Sequence, residues 1–353
     1  MIIARYLTRQ IVTVTAAITF VLLIVVVLGR MLKYLAQASQ GELDSSVLVL
    51  IMSYRLPEFI QLTIPLALML GILLAYGRLY AESEMTVLIA CGLSKSRLLA
   101  ITSISSGFFA FLIAVLALKV TPWGLENTDT ILEAQKELTE FEVMVPGLFQ
   151  TLSRGARTTY TESVEGDELQ NVFMHETALD RITVANTAIA TEDEEAVRYI
   201  LMSDGSITEG LTSGNDYTIT DYEEFGVRLP AREVNLDITI EEKAMNTMTL
   251  LASDNPAHIA ELQWRLSLIL LIPILTILVI PLSKVSPRQG RFAKIVPAIL
   301  LYIIYFGLLL SSRDLVEKGD VPPIIGMWWV HLIFLFIALA LFMDKMPGFL
   351  RRN

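Results

Sequence analysis

The sequence contains a single cysteine, Cys91, among its 353 residues. An intramolecular disulfide is therefore impossible, and any folded domain must be stabilised by its own core. His175 and His258 have no spacing to each other or to Cys91 that is typical of a metal site. The sequence also lacks Gly-x-x-x-x-Gly-Lys-Ser/Thr, His-Glu-x-x-His and Gly-x-Ser-x-Gly. These absences argue against metal chemistry, nucleotide hydrolysis and nucleophilic catalysis by this chain.

Charge is missing from six long stretches of apolar residues. These stretches are 18 to 23 residues long and cover residues 11–29, 59–77, 98–118, 266–283, 295–312 and 321–343. Each is long enough to cross roughly 30 Å of hydrocarbon at about 1.5 Å per helical residue. The sequence therefore predicts a polytopic membrane protein with six transmembrane helices in a 3+3 arrangement. Because the spans contain almost no carboxylates, a proton- or sodium-driven mechanism is not expected.

The second apolar stretch begins at Val47 and is longer than one span requires. Either Pro57 kinks one long helix, or residues 47–52 form a separate turn at the membrane surface.

Charge divides the chain into two parts. Residues 122–262 contain 28 acidic and 8 basic residues, whereas the remainder contains 9 acidic and 19 basic residues. The acidic segment argues against nucleic acid as a partner, because phosphate backbones attract basic surfaces. We therefore predict transmembrane helices 1–3 in residues 1–121, with a cytoplasmic helix at about 80–92. An inserted domain occupies 122–262, and helices 4–6 occupy 263–353.

Basic residues in the short loops predict the orientation. Most lie on the side of the two termini, which the positive-inside rule assigns to the cytoplasm. The first apolar stretch is too long for a signal peptide and should remain as an uncleaved helix. The acidic domain is then expected outside the cytoplasmic membrane, whatever its own charge.

The inserted domain has the residue pattern of short strands. We predict strands at 158–164, 171–176, 182–190, 197–202, 206–211, 217–227 and 234–240. Turns are expected at Val164-Glu165-Gly166-Asp167, Ser203-Asp204-Gly205 and 212–216. Closely spaced strands of this kind favour a sandwich or jelly roll. Residues 130–142 and 255–265 are predicted as helical stems that join the domain to spans three and four.

The loop between spans two and three predicts a short amphipathic helix. Met85, Leu88, Ile89 and Cys91 lie near one face, and Glu82 and Glu84 fall in the first turn, where the helix dipole favours carboxylates. Gly92 is a natural stop, and Ser94 a natural N-cap for span three. Such a helix could fit a groove on a soluble partner. The alternative is a solvated connector without a partner.

Two basic positions follow span one on the non-cytoplasmic side. Arg30 and Lys33 are spaced i and i+3, so they face the same way on a helix and could bind phosphate or carboxylate groups. The alternative is that both snorkel at the membrane surface.

Two other features have more than one interpretation. The basic loop at 284–294 either determines topology or contacts a partner. His331 in the last span is interpreted as a hydrogen-bonded packing residue in preference to a proton relay.

Several segments together resemble the LptF/LptG permease family of the lipopolysaccharide exporter. They are Met1-Ile2-Ile3-Ala4-Arg5-Tyr6-Leu7, the run from Tyr80 to Lys95, Glu261-Leu262-Gln263-Trp264-Arg265, and Pro281-Leu282-Ser283 with Ser286-Pro287-Arg288-Gln289-Gly290-Arg291. The resemblance covers essentially the whole chain. The cytoplasmic run and the Pro-Arg-Gln-Gly-Arg segment favour the LptF branch over its LptG sibling.

The resemblance implies a non-catalytic, multi-pass subunit in the inner membrane of a Gram-negative bacterium, with an inserted periplasmic β-jellyroll. Its partners would be the permease LptG, an LptB ATPase dimer that binds the ATP, the bridge protein LptC, lipopolysaccharide and membrane lipids. The chain itself would need no cofactor and no metal. The resemblance also implies that span one of each permease and span five of the other form lateral gates.

The resemblance assigns roles to particular residues. Glu84 would be the key acid that docks into the ATPase, within a coupling segment that also contains Tyr80, Glu82, Leu88 and Gly92. Arg30 and Lys33 would face lipid A phosphates or inner-core sugars. The alternatives from other classes are a non-transporting scaffold for periplasmic β proteins and, least favoured, an intramembrane enzyme.

Overall fold

The computed structural model describes most of the chain. The described residues are 2–39, 43, 45–137, 146–152, 157–166, 168–192, 198–210, 217–228, 241–285, 292 and 294–343. They form two compact units. A helical unit comprises Met1–Leu28, Tyr54–Asn127 and Thr239–Asn353, and a second unit, which contains the sheet, comprises Gly29–Ser53 and Thr128–Ile238.

Ten α-helices are described. They are α1 (Ile2–Ser39), α2 (Leu48–Ala81), α3 (Glu84–Ala90), α4 (Lys95–Val115), α5 (Thr121–Glu137), α6 (Glu241–Ala244), α7 (Thr247–Leu251), α8 (Pro256–Leu282), α9 (Ile295–Glu317) and α10 (Trp328–Phe342). Five helical stretches, including the continuous Lys95–Ala134, are long and apolar enough to cross a membrane. They correspond to the first five predicted spans.

The sixth apolar run differs from the prediction, because only its second part is helical. Helix α10 has 15 residues, whereas residues 323–327 form turns. Pro322 and Pro323 cannot donate backbone hydrogen bonds. The side chain of Gln263 forms hydrogen bonds with the neighbouring backbone groups. Gln263 donates to the carbonyl of Pro323 at 2.6 Å and accepts from the amide of Met327 at 3.1 Å. A sixth full-length helix is therefore not confirmed.

Helix α2 runs unbroken through Pro57 and Pro65, after one 3₁₀ turn at Ser45–Val47. The interpretation as one long helix is confirmed, and the separate turn at 47–52 is wrong. The predicted stems are also helical where they are described. Helix α5 ends at Glu137, and α8 begins after Asn255, whose side chain caps it by accepting from the amide of Ala257 at 3.0 Å.

A π-helical segment, Leu116–Val120, joins α4 to α5. Such segments leave a backbone carbonyl without its usual partner and often occur at functional sites. Here the hydroxyl of Thr247 donates to the carbonyl of Leu118 at 2.7 Å. The helix after the sheet is therefore tied to the irregular turn of α4–α5.

His331 lies buried in α10, and its Nδ1 is 2.7 Å from the hydroxyl of Tyr305. The ring of Tyr305 stacks on Phe334 with 3.9 Å between ring centroids. The interpretation of His331 as a hydrogen-bonded packing residue is confirmed.

Among its described residues, the second unit contains one antiparallel sheet of seven strands. They are β1 (Gln150–Leu152), β2 (Arg157–Tyr160), β3 (Ser163–Glu165), β4 (Glu168–Glu176), β5 (Arg181–Glu192), β6 (Arg198–Glu209) and β7 (Thr218–Arg228). The order is β1-β2-β4-β5-β6-β7, with β3 paired to β4. The predicted β-structure of the inserted domain, here an antiparallel sheet, and the turn at Gly166 are confirmed. The jelly roll itself stays a prediction. The predicted strand 234–240 and turn 212–216 lie outside the described residues.

One predicted turn is wrong, since Ser203-Asp204-Gly205 lies inside a single strand, β6. Asp204 has a φ of 52°. It is left out of the pairing register of β6 with β5 and of that of β6 with β7. The pairing of β4 with β5 skips Asn171, which has a φ of 50°. The skipped positions therefore form a line across four strands, at residues 171, 186, 204 and 223. We call this line the crease.

The crease is held by Tyr222, whose hydroxyl donates to the carbonyl of Val184 at 2.9 Å. The phenol passes over Gly205, where a Cβ would lie 2.0 Å from the Val184 carbonyl and 2.4 Å from the Tyr222 hydroxyl. Only glycine fits at this position. Residues that commonly make turns can thus bend a strand without ending it.

The core of the sheet is small. Its buried residues are Leu169, Val172, Met174, Ala185, Ala188, Ile200 and Met202. They alternate with more exposed residues, as expected where one face of a sheet is apolar.

Candidate functional site

The predicted coupling segment folds as a tight turn followed by a short helix. Helix α2 ends at Ala81, Ser83 takes the left-handed conformation with a φ of 64°, and α3 covers Glu84–Ala90. Gly92 follows α3 with a φ of 94°, and the hydroxyl of Ser94 accepts from the amide of Arg97 to cap α4. The stop at Gly92 and the cap at Ser94 are confirmed.

The helix is shorter than predicted. Tyr80 belongs to the last turn of α2, and Glu82 lies in the connecting turn, 3.5 Å from Arg78. The left-handed Ser83 separates both residues from α3, so a helix that starts at residue 80 is wrong. Glu84 is the first residue of α3.

The apolar face of α3 is also narrower than predicted. Met85 is fully buried and Leu88 packs against the helical core, but Ile89 and Cys91 are exposed. Met85 and Leu88 lie at positions i and i+3 on one face of α3. Ile89, at i+4 of the same face, is exposed, so the buried part of the apolar face is limited to Met85 and Leu88. Together with Val87, which is 60% exposed, Ile89 gives α3 an accessible apolar surface.

The acidic residues of this segment line a groove of about 340 Å³. It is lined by Tyr6, Glu82, Ser83, Glu84, Val87 and Leu88. The hydroxyl of Tyr6 donates to Oε2 of Glu84 at 3.0 Å, across 78 residues of sequence. The groove thus brings together three of the five predicted coupling residues, together with Tyr6, which the sequence did not single out. Tyr80 and Gly92 lie outside its lining.

Arg30 and Lys33 both lie on α1 and are both exposed. Their spacing places them on one face of that helix, as predicted. In the basic loop, Lys284 and Lys294 are described, while Arg288 and Arg291 lie outside the described residues. Within the described parts of the chain, no three His, Cys, Asp or Glu side chains come close enough together to hold a metal ion.

A buried ionic cluster at the start of α8 was not predicted from the sequence. Glu261 accepts from Nε of Arg265 at 2.9 Å and pairs with Arg313 of α9, also at 2.9 Å. Glu261 and Arg265 are 4% and 2% exposed, which is unusual for charged residues. The guanidinium of Arg313 also lies 5.4 Å from the centre of the Trp264 ring. Two cations around one carboxylate compensate for much of the cost of its burial.

Arg265 also binds the segment that returns from the sheet. Its guanidinium donates to the carbonyls of Lys243 and Met245, each at 3.0 Å, and to the hydroxyl of Thr247 at 2.7 Å. Because the same hydroxyl donates to Leu118, Arg265 joins α6, α7 and the π-helical segment to α8. The sequence analysis identified the segment from Glu261 to Arg265 by its resemblance to the family. It did not predict the partners of Arg265.

These features define a polytopic membrane protein with an inserted antiparallel sheet and a short helix that presents acidic and apolar groups outside the bundle. The model of the lipopolysaccharide export system permease family LptF/LptG matches residues 5–344. The chain is 32% identical to the lipopolysaccharide export system permease protein LptF of Escherichia coli K12 over 346 residues, which cover 97% of this chain and 94% of that protein. The LptF of Shigella flexneri matches to the same extent. The chain therefore belongs to the LptF/LptG family.

Proposed function

We propose that this chain is a non-catalytic permease subunit of an ABC transporter. In this proposal it extracts lipopolysaccharide from the outer leaflet of the inner membrane and passes it to its periplasmic β domain. The observation that carries the proposal is the match to the family over nearly the whole chain, with an LptF relative 32% identical. No ATP-binding motif occurs in the sequence, so the energy would come from a separate ATPase subunit.

The groove around Glu84 is the proposed contact with that ATPase, an LptB dimer. Two carboxylates, Glu82 and Glu84, flank the start of α3, and exposed Val87 and Ile89 supply apolar area. Such a surface suits a basic groove with an apolar floor, because apolar contact gives affinity and charge complementarity gives orientation. Movement of the ATPase would then displace α3.

The orientation follows from the distribution of basic residues. Both termini and α3 would face the cytoplasm, and the acidic unit would lie in the periplasm. Helix α1 supports a partner within the membrane, since only 11% of its apolar window is buried in this chain, against 72% for α2. We propose that LptG packs on this surface. The sheet would belong to a jellyroll that LptC extends.

The proposed substrate contacts are of two kinds. Arg30 and Lys33 would bind the anionic groups of lipopolysaccharide, since both are exposed on one face of α1. The apolar face of the sheet would receive the acyl chains, because each methylene left in water costs roughly 0.8 kcal/mol. Neutralising Arg30 and Lys33 together is expected to reduce the lipopolysaccharide that co-purifies with the complex. Unchanged binding would make them membrane-surface anchors.

Reversing the charge of Glu84 tests the role of the groove. In Glu84→Lys, a cation would face the basic partner, so export is expected to fail while the ATPase subunit still hydrolyses ATP. The measurements are co-purification of the ATPase and ATP-dependent release of lipopolysaccharide from proteoliposomes.

Ser96→Lys is the matched control, because it adds a cation on the same side of the helical unit but outside the groove. It is expected to behave like the wild type. Normal assembly and release in Glu84→Lys would reject the proposed contact.

A further inference from the structure

Helix α1 is attached to the rest of the helical unit near its N-terminal end. Leu7, Ile11 and Thr15 are fully buried and follow one another at intervals of four residues, so they form a single stripe. From Ala16 to Leu28, by contrast, no residue of this helix is buried. Within this chain, α1 is therefore held along its first four turns, whereas residues 16–28 are exposed or only partly covered.

The attachment includes a close approach of α1 to α2. A Cβ on Gly71 would lie 2.1 Å from Oγ1 of Thr15 and 3.0 Å from its Cα. Small residues at such crossings allow helix backbones to come into direct contact within a membrane. The two helices therefore cannot slide past one another at this point without losing close packing.

Below this crossing, the start of α1 contacts α3 through a polar group. The hydroxyl of Tyr6 donates to Oε2 of Glu84 at 3.0 Å. The next residue on each helix, Leu7 and Met85, is fully buried in the same apolar core. A charge-assisted hydrogen bond thus joins the first turn of α3 to the start of α1, beside an apolar core to which both helices contribute.

Helix α1 is suited to carry a displacement over a long distance. Between Tyr6 and Leu28 it contains neither glycine nor proline, the usual causes of kinks. At about 1.5 Å per residue, this stretch is on the order of 30 Å long. A tilt imposed at its N-terminal end would therefore move the unburied stretch as a rigid rod.

We propose that Tyr6 is a positioning residue that holds the Glu84 carboxylate and transmits the displacement of α3 to α1. The proposal rests on the proposed function, in which the ATPase moves α3. In this role Tyr6 would contact neither substrate nor nucleotide. Its effect is expected on the amount of lipopolysaccharide moved per ATP hydrolysed, because ATP hydrolysis itself belongs to the partner.

The test uses Tyr6→Phe, Glu84→Gln and the double variant, each purified as the complete complex in proteoliposomes. Tyr6→Phe keeps the ring and removes only the donor, so folding and assembly are preserved. ATP hydrolysis and lipopolysaccharide release are measured together, and their ratio is compared with the wild type. We expect Tyr6→Phe to lower that ratio roughly threefold to tenfold, the range of one typical intramolecular hydrogen bond.

The double variant identifies the route of the effect. If Tyr6 acts through Glu84, Tyr6→Phe is expected to cost much less in the Glu84→Gln background, because a neutral amide oxygen accepts a weaker hydrogen bond than a carboxylate. An undiminished loss in that background would mean that Tyr6 acts through packing, and would overturn the proposal. A wild-type ratio in Tyr6→Phe, with a reduced ratio in Glu84→Gln, would also overturn it but leave the proposed function intact. Wild-type behaviour of Glu84→Gln would count against the proposed function itself.

Discussion

The helical unit and the sheet place their most buried ion pairs at different positions: between helices in the first, and at strand ends in the second. In the helical unit, Glu261, Arg265 and Arg313 meet in a buried cluster between α8 and α9. In the sheet, ion pairs lie at strand ends, where Arg181–Glu209, at 2.6 Å, stays partly exposed and Arg157–Glu176, at 2.7 Å, is largely covered. Backbone pairing positions the strands whatever their side chains, whereas helices satisfy their backbone groups internally. Helices in lipid therefore depend on side chains to fix their neighbours.

This difference predicts that a substitution in the buried cluster lowers the free energy of unfolding more than a substitution in an exposed ion pair. Arg265→Met leaves Glu261 with one cation and removes a donor from three backbone or hydroxyl partners. The expected loss is about 3–5 kcal/mol in the free energy of unfolding, the usual cost of breaking a buried ion pair on one side. The measurement is the unfolding transition of the purified protein in mild detergent.

Lys318→Ala is the matched control on α9. Its ion pair with Asp314 is as short, at 2.7 Å, but both side chains are exposed. We expect no measurable change in the unfolding transition, because exposed pairs are screened by solvent. Equal losses in Arg265→Met and Lys318→Ala would contradict the contrast between buried and exposed charge.

Within the sheet, we expect substitutions at the crease to be the most destabilising. Gly205→Ala places a methyl group against the carbonyl of Val184, which belongs to the backbone and cannot move aside freely. Overpacking of this kind costs about 1–3 kcal/mol. Gly226→Ala, also within a strand of this sheet, has open space at the same position.

Limited proteolysis of the purified protein measures the effect on the sheet. We expect Gly205→Ala to expose new cleavage sites between residues 157 and 228, and Gly226→Ala to retain the wild-type pattern. The same pattern in both variants would show that the crease tolerates a side chain.

The smallest predicted effect concerns pH. Burial raises the pKa of Tyr222 to about 12, above the value of about 10 for an unfolded tyrosine. The neutral phenol that donates to Val184 is therefore favoured in the folded state. Its contribution to stability is complete below pH 10 and is lost as the pH rises towards 12.

Tyr222→Phe should consequently flatten the decline of stability between pH 10 and 12, as measured by thermal unfolding at each pH. An identical decline in the variant and the wild type would assign that decline to other groups.

The same comparison explains what the sequence could predict. Spans one to five could be predicted from the sequence, because a helix that crosses a membrane must have a minimum length and little or no charge. Most strands were visible from β-rich runs, but the break at Ser203-Asp204-Gly205 was not interpreted correctly. A turn and a crease need the same small, polar residues, and only the neighbouring strands decide between them.

The candidate site shows the same limit. Glu82 and Glu84 could be identified because a local pattern surrounds them. Tyr6 and Arg313 could not, since their partners lie 78 residues away in one case and on another helix in the other. The length of the sixth helix was overestimated, because hydropathy contains no information on the hydrogen bond from Gln263 to the backbone carbonyl of Pro323.

The proposed orientation places the groove around Glu84 and the acidic sheet on opposite sides of the membrane, and cysteine labelling tests this most directly. The native Cys91 is exposed beside the groove, and Glu223 is exposed on β7. Wild type and a Cys91→Ser/Glu223→Cys variant would be treated with a membrane-impermeant maleimide in intact spheroplasts and after lysis. We predict that the variant is labelled in intact spheroplasts, whereas the wild type is labelled only after lysis. Labelling of the wild type in intact spheroplasts, with protection of the variant, would contradict the account.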